Sequence, residues 1–224
     1  MKFDNTKIML IVIVSIVLLS LLSYYINDNY HKNKNLELIN KTYGRDSFIT
    51  VNGNLHGDKY NLTYGEMTHE GMKNIIKYCK NKNISHNTFI DLGCGNGRTL
   101  AYAINYGFNN AKGVEIVEKR YNYAVNAREK LNQEIKQKIT LDNKDIFDLV
   151  PGYIPKNSVI FISNLLFPSE TNNELIKHLS HIAPADVYII LSTLPGNMYD
   201  FKLLEQIDVP MSWNKYSTCH VLSR

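Results

Sequence analysis

Nineteen consecutive residues, Ile8 to Ile26, carry no charge and consist mainly of Ile, Val and Leu with three serines. As a helix that run rises about 28 Å, close to the ~30 Å hydrocarbon core of a bilayer. Asn27 to Gly57 is polar and Asn-rich; Leu36, Leu38 and Ile39 would suit a short helix, but without a sustained period the segment reads as a stalk. From there the pattern alternates. Met72, Ile75, Ile76 and Cys79 recur at helical spacing, and Thr88 to Leu92 is a short apolar run that reads as a buried strand. Gly93, Gly95 and Gly97 follow, and a helical pattern begins at Arg98 and runs through Leu100, Ala101, Ala103 and Ile104. Further strands are predicted over Ala111–Ile116, Ile139–Leu141, Ser158–Ser163, Val187–Ser192 and Thr218–Leu222. Between them lie helices over Glu118–Lys138, with Tyr121, Ala124, Val125, Leu131 and Ile135 inward, and over Glu174–His181. Strands alternating with helices predict an α/β fold with a mostly parallel sheet.

Composition narrows this picture. A chain of 224 residues with 44% apolar content suits one domain plus an appendage. The net charge of +4 is mild, and the charges along Glu118–Lys138 are mixed in sign, which reads as a solvated helix face and gives no strong nucleic-acid signal. Three widely spaced cysteines (Cys79, Cys94, Cys219) argue against a disulfide framework. With no C-x-x-C pair and no H-E-x-x-H run, no metal is expected. His178 and His181 lack a carboxylate or cysteine partner in sequence and read as surface residues.

The N-terminal run has a rival reading as a secretory signal, but it is long, and Ser23-Tyr24-Tyr25 offers no small-x-small cleavage site. It reads as an uncleaved anchor (1–26), followed by the stalk (27–57) and a domain (58–224). Lys2 and Lys7 precede it; Lys32, Lys34, Lys41 and Arg45 follow, so the positive-inside rule leans toward a single-pass protein whose body faces the cytosol.

The glycine turn carries the chemistry. In a G-x-G-x-x-G dinucleotide fingerprint the third glycine stands three after the second; here that place holds Arg98, and the preceding strand ends in Asp91, which would repel a pyrophosphate. A cationic ligand tolerates that acid. Asp91-Leu92-Gly93-Cys94-Gly95-Asn96-Gly97 resembles motif I of class I S-adenosylmethionine-dependent methyltransferases. Glu115, 22 residues past Gly93, ends the next strand where an acid takes ribose hydroxyls. Asp145 and Ile146 follow the third strand as an acid and an apolar residue suited to clamping an adenine. Tyr64-Gly65-Glu66, just upstream, is a turn that packing alone does not explain.

Together these stretches resemble the disruptor-of-telomeric-silencing family of non-SET histone-lysine methyltransferases. The pieces are Tyr64-Gly65-Glu66, Asp91 to Gly97, Gly113-Val114-Glu115, Asp145-Ile146, the Ser163 to Phe167 turn, Ser212-Trp213 and the terminal strand. The resemblance covers about Tyr60 to Arg224. It implies the class I, Rossmann-like fold with a seven-stranded sheet flanked by helices, and S-adenosylmethionine as the methyl donor. Glu66 and Asp91 would hold the donor's methionine end, Gly93, Gly95 and Gly97 its backbone cradle, Glu115 its ribose, and Asp145 with Ile146 its adenine. Tyr64, Asn164, Phe167, Trp213 and Tyr216 would serve the transfer site, the last four lining a channel for the acceptor lysine. Three places depart from the family pattern: Met67 stands where it has Thr, Ser163-Asn164 where it has paired asparagines, and the stretch after Trp213 is shorter.

Membrane-anchored mitochondrial lysine methyltransferases are similar in outline; the anchor favours them, whereas Tyr-Gly-Glu and Trp213 favour the first family. The expected activity is lysine N-methylation of a histone or other basic protein by a membrane-anchored monomer. A non-histone protein lysine or a small amine near the membrane is the alternative acceptor, and a donor-binding tether without activity is the second alternative.

Overall fold

The computed structural model describes residues 5–44 and 65–224, and it divides into two compact units, Met1–Leu38 and Ile39–Arg224. In the first unit runs most of helix α1 (Asn5–Tyr43). Its apolar side chains between Ile8 and Ile26 are exposed, from 45% at Ile8 to 73% at Tyr24. By length and composition α1 is apolar enough to cross a membrane.

The stretch expected as an aperiodic stalk is helical as far as Tyr43. Asp28 and Lys32 pair one turn apart at 2.6 Å, and extending an existing helix avoids the cost of a new nucleus. Gly44 ends it at a φ of 64°, its N–H donating to the Asn40 carbonyl. Ile39 and Tyr43 are buried and belong to the second unit. Residues 45–64, which include the rest of the expected stalk, lie outside the described residues.

The second unit continues with α2 (His69–Asn81), β1 (Thr88–Leu92), α3 (Arg98–Tyr106), β2 (Asn110–Glu115), α4 (Glu118–Glu129), α5 (Gln133–Lys136) and β3 (Ile139–Asn143). After these come β4 (Ser158–Ile162), α6 (Ser169–Ile182), β5 (Tyr188–Leu191), β6 (Lys202–Asp208) and β7 (Thr218–Ser223). The sheet order is β3-β2-β1-β4-β5-β7-β6, with β1 to β5 parallel and β7 antiparallel to both neighbours. β1 and β4 are buried at every position, as unbroken apolar strands covered on both faces must be. The chain leaves β1 toward β2 on one side and returns through β4 on the other. That reversal opens a crevice at the carboxyl ends of β1, β2 and β4.

Three details differ from the sequence reading. The single helix expected over Glu118–Lys138 is two, because the Asn132 side chain accepts from the Ile135 N–H (3.0 Å) and starts a new turn at α5. α6 begins at Ser169, five residues earlier than expected, directly after Pro168. Strand β6 has no counterpart in the predicted elements. It is an edge strand with Leu203 and Leu204 both exposed and an irregularity between Leu203 and Glu205, so it lacks the alternation that marks a half-buried strand. All three cysteines are buried and free.

Candidate functional site

Gly93, Gly95 and Gly97 take positive φ (95°, 56° and 81°), a region L side chains rarely enter, so the chain can reverse from β1 into α3 within one tight turn. The N–H groups of Gly93 and Cys94 donate to the Val114 carbonyl at 2.8 and 3.0 Å, tying the turn to β2. A Cβ added at Gly93 would meet nothing within 4 Å, so bare backbone faces open space at the crevice.

Acids surround this turn. Glu115 is buried; its Oε2 accepts from the Gly95 N–H and its Oε1 from the Val117 N–H, each at 2.8 Å. The carboxylate expected at a ribose thus also braces the glycine turn. Asp91 is buried, and its carboxyl is pushed up to about 8, first by burial, then by the charges of Glu115 and Glu66, against a hydrogen bond from Thr99. Burial likewise raises Glu115, against its backbone hydrogen bonds. Such a cluster calls for a cation. Among the described residues no group of three or more His, Cys, Asp or Glu is placed to hold a metal ion. An organic cation lying on the open Gly93 backbone fits these acids. Asp145 stands at the end of β3, where its Oδ1 accepts from the Phe147 N–H (2.9 Å) and caps a 3-10 turn (Ile146–Asp148), with Ile146 buried.

Glu66 reaches the turn from a different part of the chain. Its Oε2 lies 3.0 Å from Nη1 of Arg98, the first residue of α3. Residues 65–68 pair with 210–213: the Ser212 N–H donates to the Glu66 carbonyl (2.7 Å), the Glu66 N–H to Ser212 Oγ (3.0 Å), and Met67 bridges Met211. Thr68 adds two bonds to the Pro210 carbonyl, from its N–H (3.0 Å) and its hydroxyl (2.8 Å), and caps α2. This pairing lays the Trp213 indole on Gly65, where an added Cβ would stand 2.2 Å from Cζ3. Only glycine fits there.

The transfer-site residues are dispersed in role. Asn164 is buried, and its Nδ2 donates to Asn172 Oδ1 and the Thr193 carbonyl, both at 2.8 Å, while its Oδ1 accepts from the Thr193 N–H at 3.0 Å. It braces the turn after β4. Phe167 is half-buried against the core, Trp213 is 43% exposed and Tyr216 76% exposed. A side chain as open as Tyr216 desolvates nothing in this conformation. Tyr64 lies outside the described residues. His178, expected at the surface, is half-buried against Phe147 with ring centroids 5.7 Å apart.

Sequence reasoning missed Tyr43 and Arg98. Tyr43 is buried, its hydroxyl 3.4 Å from the Gly97 carbonyl, and Arg98 Nη2 donates to the carbonyls of Tyr43 (3.1 Å) and Gly44 (2.6 Å). Nothing in Lys41-Thr42-Tyr43-Gly44 announces this; a cation opening α3 was the only available signal.

The family described as "Histone methylation protein DOT1" matches residues 57–200, well over half of the chain. The chain belongs to the DOT1 histone methylation family. No curated protein matches it. Among solved structures, the magnesium protoporphyrin IX methyltransferase ChlM from Synechocystis PCC 6803 with bound SAM is similar in fold: 17% identity, TM-score 0.52, covering 89% of this chain and 96% of that one. The same enzyme with bound SAH matches at 16% identity and TM-score 0.50, covering 88% and 96%. The methyltransferase domain of bacterial CtHen1-C matches at 12% identity and TM-score 0.53, covering 70% and 98%. This DOT1-family chain has the class I methyltransferase fold, and S-adenosylmethionine is its methyl donor.

Proposed function

We propose that the chain is a protein-lysine N-methyltransferase whose N-terminal helix anchors it as a monomer in a membrane, with the catalytic unit on the cytosolic side. One observation carries the reading: the pairing of residues 65–68 with 210–213 brings the exposed indole of Trp213 beside Glu66, which meets the glycine turn through Arg98. One acid proposed for the donor thereby adjoins an aromatic surface proposed for the acceptor. The exposed apolar face of α1 between Ile8 and Ile26 supports the anchor, and the lysines after it support the orientation.

S-adenosylmethionine, when bound, supplies a methyl group on a sulfonium centre. Asp91 and Glu66 would hold its charged methionine end, Gly93, Gly95 and Gly97 its backbone cradle, Glu115 its ribose, and Asp145 with Ile146 its adenine. The chain's main task is positioning two reactants. An acceptor lysine is ordinarily protonated, with a pKa of about 10.4, and an apolar surround lowers that value by disfavouring the charge. Trp213 and Phe167 would contribute to such a surround, with Tyr216 and Tyr64 completing it when an acceptor is seated. Asn164 would act by holding the turn that carries Phe167. Aromatic faces also tolerate methylated ammonium products.

A second reading, a membrane-associated protein lysine or amine as acceptor, is favoured by α1 and by exposed Leu165 and Leu166 on the transfer turn. Incubating the full chain in lipid nanodiscs with tritiated donor, histones and separate membrane-protein pools discriminates the two. Methyl-lysine after acid hydrolysis is the expected product, and the labelled pool identifies the acceptor class. Protease-resistant label in organic solvent would instead indicate a lipid amine. Donor binding with no labelled product on any pool would sink the enzyme reading and leave a donor-binding tether.

A further inference from the structure

We propose that the last turn of α1, Ile39 to Gly44, is part of the donor site, with Arg98 as the positioning residue that joins it to Glu66. The inference rests on the donor-site assignment above.

Five hydrogen bonds and a cation–π contact bring this turn onto α3 and the neighbouring α4. The Tyr43 hydroxyl lies 3.4 Å from the Gly97 carbonyl, Tyr102 donates to Asn40 Oδ1 (2.9 Å), and Tyr123 donates to the Tyr43 carbonyl (3.4 Å). Arg98 closes the set. One amino nitrogen takes the Tyr43 and Gly44 carbonyls and the other takes Glu66 Oε2 (3.0 Å), while the guanidinium carbon stands 5.7 Å from the Tyr43 ring centroid. Carbonyls at a helix end carry partial negative charge, so a cation is favoured there. A planar fork can satisfy that end and a carboxylate together, which the single point of a lysine ammonium cannot.

The consequence concerns Glu66. This acid belongs to a turn distant in sequence from the glycines, and Arg98 joins its carboxylate to the mouth of the site. Arg98 is itself held by the α1 carbonyls. Removing the last turn of α1 therefore loosens an acid that contacts the donor's charged end, although no atom of that turn needs to touch the acceptor. Donor affinity depends on the seating of this last turn, while the transfer step does not.

Amide hydrogen exchange on the full chain in nanodiscs, with and without S-adenosylhomocysteine, tests this without any substitution. Slower exchange at both residues 93–98 and residues 40–44 is expected. Protection of the glycine turn alone would overturn the proposal and leave the donor site standing; protection of neither would show that the donor assignment itself had failed. Kinetics add a second readout. Arg98→Gln and Tyr43→Ala should each raise donor KM and the S-adenosylhomocysteine Kd about tenfold, equivalent to about 1.4 kcal/mol, with kcat at saturating donor changed less than about twofold. Tyr43→Phe, which keeps the ring, should restore most of the affinity. Equal loss of kcat with unchanged donor KM would contradict the positioning role.

Discussion

The indole of Trp213 occupies the space a side chain on Gly65 would need, with Cζ3 only 2.2 Å from the position of an added Cβ. Gly65→Ala must therefore move the indole or the backbone. Because Trp213 is the sole tryptophan, its fluorescence reports that movement directly. We expect an emission shift and a fall in kcat/KM of about 100-fold, the usual scale for a small misplacement near reacting groups. Donor Kd should change little. An unshifted spectrum with wild-type turnover would remove Trp213 from the acceptor side.

Asp91 predicts a pH signature. Its carboxyl, ordinarily near 3.8, is pushed up to about 8, so between those values the folded donor-free protein keeps a proton the unfolded chain has lost. Its contribution to stability is thus greatest below pH 4, falls as pH rises toward about 8 and levels off above it. The thermal midpoint of Asp91→Asn should vary less between pH 6 and 9 than that of the wild type. A cationic donor favours the ionised acid, so binding should release a proton and tighten with rising pH, by at most about tenfold per pH unit up to pH 8. Calorimetry in two buffers of different ionisation enthalpy measures that release, and Asp91→Ala should abolish binding.

Glu115 braces the glycine turn through Oε2, which accepts from the Gly95 N–H, and the entry to α4 through Oε1, which accepts from the Val117 N–H. Glu115→Gln replaces one acceptor by an NH2 group facing a backbone N–H, which should cost about 1–3 kcal/mol in urea unfolding. It also removes a charge that raises Asp91, so the pH dependence of stability should move toward lower pH. Donor affinity should weaken as well, since the same carboxylate is proposed at the ribose.

Asn164 predicts a stability loss accompanying any loss of activity. Its amide satisfies Asn172 and both backbone groups of Thr193 from a fully buried position. Asn164→Ala should lower stability by about 1–3 kcal/mol, seen as a lower urea midpoint. Tyr216→Ala, at a 76% exposed position, should stay within about 0.5 kcal/mol of wild type.

Local chemistry made much of this protein legible before its structure. Strand β1 begins and ends as its apolar run does, the three glycines mark the turn, and α2 follows its apolar period, because each signal lies within a few neighbouring residues. The acids at Asp91 and Glu115 could be placed by counting along β1 and β2, since a parallel register brings consecutive strand ends to one edge. Tertiary structure decided what depends on distant partners. Tyr43 is buried only because α3 and α4 present Gly97 and Tyr123 to it, and β6 exists as a strand only because β7 pairs with it. Asn164 could have faced an acceptor or the backbone, and the position of Thr193 settles that it braces the fold. Hydrophobic period and turn residues act over single turns of chain, whereas the partner of a buried polar group is chosen by packing between segments far apart in sequence.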